Sequence, residues 1–357
     1  MMRQLYLLLI GVLFSYTLYG KPQGFELKSG KASFKEGAIH QSSNKAIVHW
    51  KDFSVGKGET LRFIQPGRDA AILNRVTGGK VSQILGSLKA NGHVLLVNPN
   101  GVYVGGTIHA AGFVASTADL SSEEFLKGSE WTFSAPGNGK IVQDGTISCH
   151  SGEVYLIAKE IEGAGKTAGH FVGKVAAEEV LIRPYTNQRV FIRTELGELD
   201  GGNPYEYAIR HEGKVETFAV KEEAGKIYLV ADQVIANGTL ISESGNIEVD
   251  GKEVHVKDNA CIDTSGVRGG SIRIGADILR VKGRISADGW EKDGGTVSIR
   301  GNRCTDFLGV ISAQALGQEG NGGVVTIFSN GLILNGRVSF DAKNGMFGEL
   351  ILNAQEP

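Results

Sequence analysis

The sequence predicts an all-β chain wound as a single-stranded right-handed parallel β-helix, a solenoid. Three observations lead there. Glycine supplies 51 of 357 residues while proline supplies 7. That is about twice the usual glycine share, and without proline or low complexity it reads as many tight corners between short strands. From residue 225 a phrase recurs at Gly225–Leu229 (GKIYL), Gly245–Val249 (GNIEV), Gly270–Ile274 (GSIRI), Gly295–Ile299 (GTVSI), Gly323–Ile327 (GVVTI) and Gly348–Leu352 (GELIL). Its glycines lie 20, 25, 25, 28 and 25 residues apart, and strand-bearing repeats of this length without a helical period indicate a solenoid. A second phrase alternates with the first, as in Gly238–Ser242, Gly283–Ala287, Gly309–Ala313 and Gly336–Phe340.

Each phrase alternates apolar and polar residues with period two. In the third unit Ile272, Ile274, Leu279, Val281, Ile285 and Ala287 point inward, while Ser271, Arg273, Arg280 and Arg284 point to solvent. Val297, Ile299, Val325 and Ile327 recur at matching places, so aliphatic side chains stack into columns. Strand twist favours right-handed winding. At roughly 22–25 residues per coil the chain makes about 12–15 coils, a rod roughly 55–70 Å long.

Taken from the N-terminus, residues 1–20 read as a signal peptide. Arg3 precedes an apolar run from Leu5 to Leu18, and small Gly20 marks a cleavage point before Lys21 and Pro22. The run is short for a membrane span of about 20 residues. Residues 21–120 hold an N-terminal cap, expected from Gly24 to Ile64, and the first coils. Residues 121–357 continue the coils, with a short helical or looped excursion over 120–140. Near 183–221 the period breaks around Pro184, Gly201, Gly202 and Pro204, which predicts an extra-helical hairpin or flap. The C-terminal segment Glu349–Pro357 stops in mid-phrase, with no evident cap beyond Glu356 and Pro357.

The segment from Asn74 to Ser116 joins an NRVTGG turn to a β run containing Asn98, Pro99, Asn100 and Gly101. Proline presets φ at that second turn and glycine closes the corner. Upstream stand His49–Val55 (HWKDFSV) and Glu59–Pro66 (ETLRFIQP). Downstream stand Ala115–Leu120 (ASTADL) and Asn203–Arg210 (NPYEYAIR). On these residues the chain resembles the secretion domain of two-partner-secretion exoproteins, the TpsA or filamentous haemagglutinin family, most strongly over residues 36–120. The resemblance implies passage through the periplasm and recognition by an outer-membrane β-barrel transporter of the TpsB type, with periplasmic POTRA-type domains. It assigns secretion recognition to Asn74, Arg75, Asn98, Pro99, Asn100 and Gly101, and it implies a product that is secreted or held at the cell surface. Family members usually continue for many hundreds of residues into a fibre or effector region, a pattern from which this chain departs.

The remaining chemistry points away from catalysis. A formal net charge of −2 gives no electrostatic case for nucleic acid. Cys149, Cys261 and Cys304 are too few for a disulfide framework and read as small buried hydrophobes. The Gly163–Thr167 stretch ends like a phosphate-binding loop, but Glu160 stands where that motif needs its first glycine. Asp250, Asp263, Asp288, Asp293 and Asp306 lie near repeat corners, where aspartate is tolerated without catalytic pairing. The eight histidines are dispersed; His150 and His170 lie one coil apart beside Cys149, short of the three or four convergent ligands that zinc needs. No catalytic residue, metal or cofactor is expected. The exported product reads as an adhesin or surface-interaction module with a host-surface glycan or protein as receptor. A β-helical polysaccharide-degrading enzyme and a ligand-scavenging or cytolytic exoprotein remain the alternatives.

Overall fold

The computed structural model describes residues 20–183, 190–193, 207–220 and 223–354. The expected signal peptide, up to residue 19, lies outside them. The chain is the predicted parallel β-helix, with three strand columns. The first column climbs in eleven parallel steps from Lys45–Trp50 to Glu349–Ala354. At about 4.8 Å per step this spans about 53 Å, just under the expected length. The second column runs from Ser82–Ile84 to Leu332–Leu334, and the third from Ala38–Gln41 to Arg337–Ser339.

The alternation read from the repeats sets the core. Ile272 pairs laterally with Val297 and then Val325, and Ile274 with Ile299 and then Ile327. All six are fully buried. The phrase glycines have an equally direct cause. A Cβ on Gly295 would collide with the carbonyl oxygen of Gly270, and one on Gly348 with that of Gly323. Corner backbones stack too closely in successive coils for any side chain.

The cap is shorter than expected. Glu26–Ser29 pairs antiparallel with Lys45–Trp50, and Ala32–Lys35 pairs antiparallel with Ala38–Gln41. These strands cover the otherwise open ladders of two columns. From Ala38 onward the chain already runs in coils, because Ala38–Gln41 pairs in parallel with Thr60–Ile64. Phe25 and Phe34 close the end, with ring centroids 5.3 and 5.2 Å from Trp50.

The excursion and the insertion are one element. Asp119–Leu120, Trp131–Ser134, Glu179–Ile182 and Val190–Arg193 form a separate four-stranded antiparallel sheet. Helix Ser122–Lys127 lies within it, capped by the Ser121 hydroxyl accepting from Glu124 N and ended by Gly128 at φ 75°. Leu120, Phe125, Phe133, Val180 and Ile182 bury a second core against Ile47, Leu73, Leu95 and Tyr155, on the outside of the first column. The insertion expected over 183–221 is displaced accordingly. Ala208–His211 and Lys214–Thr217 run in the coil columns, while 184–189, 194–206 and 221–222 lie outside the described residues.

Candidate functional site

The six residues that the resemblance assigns to secretion recognition lie in two neighbouring coils, Asn74 and Arg75 in strand Ala71–Val76 and Asn98–Gly101 in the turn after strand His93–Val97, which pairs with it. In strand Ala71–Val76 the alternation turns Asn74 inward and Arg75 outward. Asn74 is fully buried. Its Oδ1 accepts from Trp50 Nε1 at 3.0 Å in the coil before, and its Nδ2 donates to Leu95 O at 3.2 Å in the coil after. The indole can only donate, which fixes the amide orientation. One side chain thus ties three successive coils.

Arg75 holds the extra-helical sheet. Its Nε donates to Asp119 Oδ1 at 2.9 Å and its Nη2 to Leu120 O at 2.6 Å. Nη1 lies 3.1 Å from His49 Nε2. A guanidinium has no acceptor, so Nε2 accepts and the imidazole carries its proton on Nδ1. Burial, then the adjacent Arg75 charge, lowers the His49 pKa.

The Asn98–Gly101 turn packs one coil further on. Asn98 is fully buried. Its Nδ2 donates to Lys80 O and Ser82 Oγ, both at 2.9 Å, and its Oδ1 accepts from Asn100 N at 3.0 Å. Gly101 N closes the turn on Asn98 O at 3.0 Å, and Gly101 sits at φ 110°, a conformation glycine supplies without strain. Asn100 Nδ2 reaches back to Gly78 O at 2.8 Å, while Gly139 N donates forward to Pro99 O at 3.0 Å. Only Pro99 of these four is exposed, and Asn100 is half-buried. The site is a polar clasp between corners, with Pro99, Gly79 and Lys80 as its solvent-facing edge.

The other candidates disperse. Asp288 is buried, with Oδ1 accepting from Ser312 Oγ at 2.6 Å and Gln314 N at 2.8 Å, so it braces a corner. Asp263 Oδ1 accepts from Ser265 N, and Asp293 Oδ1 from Asn321 N. Thr167 donates to Gln143 Oε1 at 3.3 Å in the preceding coil, in no phosphate cradle. The His150 ring stacks on Phe218 at 5.7 Å, and His170 Nδ1 lies 2.9 Å from Phe218 O. Their ring nitrogens are thus engaged away from Cys149, whose thiol is buried in the core with its pKa pushed up to about 12 by desolvation. No group of three or more metal-binding side chains occurs among the described residues. The cysteines are corrected in part: Cys261 is half-buried and Cys304 exposed, because both fall on outward positions of their strands. The sequence reading missed Glu248, which faces the same outer cleft as Asp250; the shared parity of positions 248 and 250 was the available signal.

A capped parallel β-helix carrying an extra-helical sheet and an asparagine-pinned first corner defines the class. The family model of the TPS secretion domain matches residues 20–312, and the chain belongs to that family. A heme/hemopexin-binding protein of Haemophilus influenzae is 46% identical over 92 residues, covering 25% of this chain and 10% of the relative. A second Haemophilus influenzae protein of that description is 36% identical over 135 residues, covering 35% of this chain and 15% of its own length. The chain therefore spans only a small part of the curated relatives it matches. The solved HMW1 secretion domain from Haemophilus influenzae superposes with a TM-score of 0.73 at 27% identity, covering 93% of this chain and all of that one.

Proposed function

We propose that this chain directs the export of a two-partner-secretion exoprotein. It crosses the inner membrane by its N-terminal signal peptide and passes the periplasm largely unfolded. Asn74, Arg75, Asn98, Pro99, Asn100 and Gly101 form its recognition determinant for a TpsB-type outer-membrane β-barrel, contacted through periplasmic POTRA-type domains. Folding then proceeds outside from the cap, since each coil needs only its neighbour. The observation that carries this reading is the secretion-domain match across residues 20–312, a span that includes all six residues. The exported product acts as an adhesin or surface-interaction module, secreted or held at the cell surface. The names of the two Haemophilus influenzae relatives favour a second reading, ligand scavenging.

Secretion assays in cells that make the transporter test the export reading. Asn98→Ile and Asn100→Ile should both accumulate in the periplasm, since isoleucine can neither clasp the neighbouring corners nor favour the turn. Deletion of residues 270–357 should leave transporter engagement intact. Normal export of both point variants, with export lost only in the deletion, refutes the assignment.

A further inference from the structure

Beyond the extra-helical sheet, the outer face of the first column opens into a cleft. In strand Asn246–Val256, Glu248 and Asp250 share the outward parity. Glu248 lies beside Arg273 of the next strand, which lies beside Ser298; Asp250 lies beside Gly275, which lies beside Arg300. Gly275 leaves the second row without a side chain, so Asp250 and Arg300 face each other across two strand steps, about 10 Å. The gap forms a hollow of about 500 Å³, within the range of ligand sites. A second hollow of about 290 Å³ continues through Glu248 and Arg273 to Phe171 and Tyr228.

The walls are ordered. Arg300 Nε donates to Asn302 Oδ1 at 3.1 Å, Asn302 Nδ2 donates to Asp277 Oδ1 at 3.0 Å, and the guanidinium sits 5.3 Å from the Phe328 ring centroid. Glu248 and Arg273, lateral neighbours of opposite charge, interact through space without a hydrogen bond between them. Both heads instead border the open cleft. Desolvation, the largest cause in each case, raises the Glu248 and Asp250 carboxyls above their ordinary range, as expected where walls exclude part of the water.

The lining selects a ligand class. Two carboxylates accept on one side and two guanidiniums donate on the other, so the charges cancel and neither a cation nor an anion gains as a whole. A sugar hydroxyl both donates and accepts, and can bridge the two walls. Phe171 and Tyr228 add an apolar end. The hollows cross five strands from Phe171 to Ser298, roughly 19 Å along the solenoid axis. We propose that this cleft binds an uncharged linear oligosaccharide lying along the axis. The inference deepens the surface-interaction reading and rests on it.

The test uses the purified full chain and a panel of neutral β-1,4- and α-1,4-linked glucose and N-acetylglucosamine pentamers, with uronate-containing and sialylated oligosaccharides beside them. At least one neutral pentamer should bind. Gly275→Leu fills the floor without changing charge, and Arg273→Ala removes a donor wall. Each should weaken binding at least about tenfold, while Lys252→Ala, outside the lining, should not. Circular dichroism reports folding, and Arg273→Ala decides the matter if Gly275→Leu fails to fold. No neutral binding at about 1 mM, binding of acidic sugars alone, or unchanged binding in Arg273→Ala overturns the proposal. Export is scored separately in the same strains. A chain exported normally that binds no neutral sugar defeats this inference and leaves the export reading standing.

Discussion

Lys174 is the least expected residue in the core, and replacing it should stabilise the protein. It lies in strand Lys166–Val175 between Leu156 and Leu229 of the neighbouring coils, on the inward parity, and is only 1% exposed. Its Nζ lies 3.4 Å from His211 Nδ1, and His211 Nε2 lies 3.3 Å from Thr239 O. Burial lowers the Lys174 pKa from 10.5 to about 8. At about 1.36 kcal/mol per pH unit, that fall corresponds to about 3 kcal/mol. The folded-state value lies below the unfolded one, so the penalty is fully present below pH 8 and disappears as pH rises towards 10.5. Lys174→Met removes it but leaves His211 Nδ1 unpaired, at about 1–3 kcal/mol. The net gain at pH 7 should be about 0–2 kcal/mol, and Lys174→Met with His211→Leu should recover most of the 3 kcal/mol. Urea unfolding at pH 7 and pH 10 reads both effects. The stability gap between the double variant and the parent should narrow at the higher pH. A gap that stays constant, or a double variant less stable than the parent at pH 7, refutes the argument.

Two further outcomes follow from the same packing. Ile299→Asp places a carboxylate between Ile274 and Ile327 with no partner in an aliphatic column, costing several kcal/mol, and the expressed chain should show lost thermal stability or protease sensitivity. Arg75→Ala removes the ties to Asp119, Leu120 and Ser122 and one of the charges that depress His49. The His49 pKa should rise in an NMR titration and residues 119–134 should become easier to cleave; an unmoved His49 value counts against the clasp.

The coils were legible wherever one face met the core and the other met water. NIEVD, SIRIG and TVSIR alternate cleanly, and their inward residues are the ones the structure buries. The extra-helical sheet was legible only in part, because its signal is a failure of alternation. AILNRV, HVLLV and GFVAS carry apolar residues on both parities, the mark of strands covered on both faces. Ile47, Leu73, Leu95 and Val114 are the outward set, and the second core accounts for them. The end of the insertion was not legible because Pro184 and Pro204 break the sequence period without showing where pairing resumes. Residues 208–217 return to the columns through only two four-residue strands. The site residues were named by resemblance, but their burial could not be read locally. Asn74 and Asn98 look like turn residues, yet both turn inward and are completed by partners 16 to 24 positions away.

The distribution of buried amides along the rod carries its own argument. Gln41, Gln65, Asn74 and Asn98 are all buried in the first three coils. Gln65 Nε2 donates to Gln41 Oε1 at 3.1 Å, and Gly92 N donates to Gln65 Oε1 at 2.9 Å, so the glutamines tie coils at one corner as the asparagines do at another. Among the described residues the later coils bury a single further amide, Gln143, beside aliphatics, small hydroxyls, Asp288, His170 and the Lys174–His211 pair, and repeat the glycine stacking. Aliphatic columns reward burial but discriminate weakly between neighbouring registers, whereas a buried amide left unpaired costs about 1–3 kcal/mol. The first coils have no earlier parallel coil to template them, only two antiparallel cap strands. Four of the five buried amides among the described residues therefore lie where register must be set, and each later coil can inherit it from the one before. Under the export function proposed above, a residue such as Asn98 would act through two separable properties, the sequence it presents in the periplasm and the corner it builds after folding.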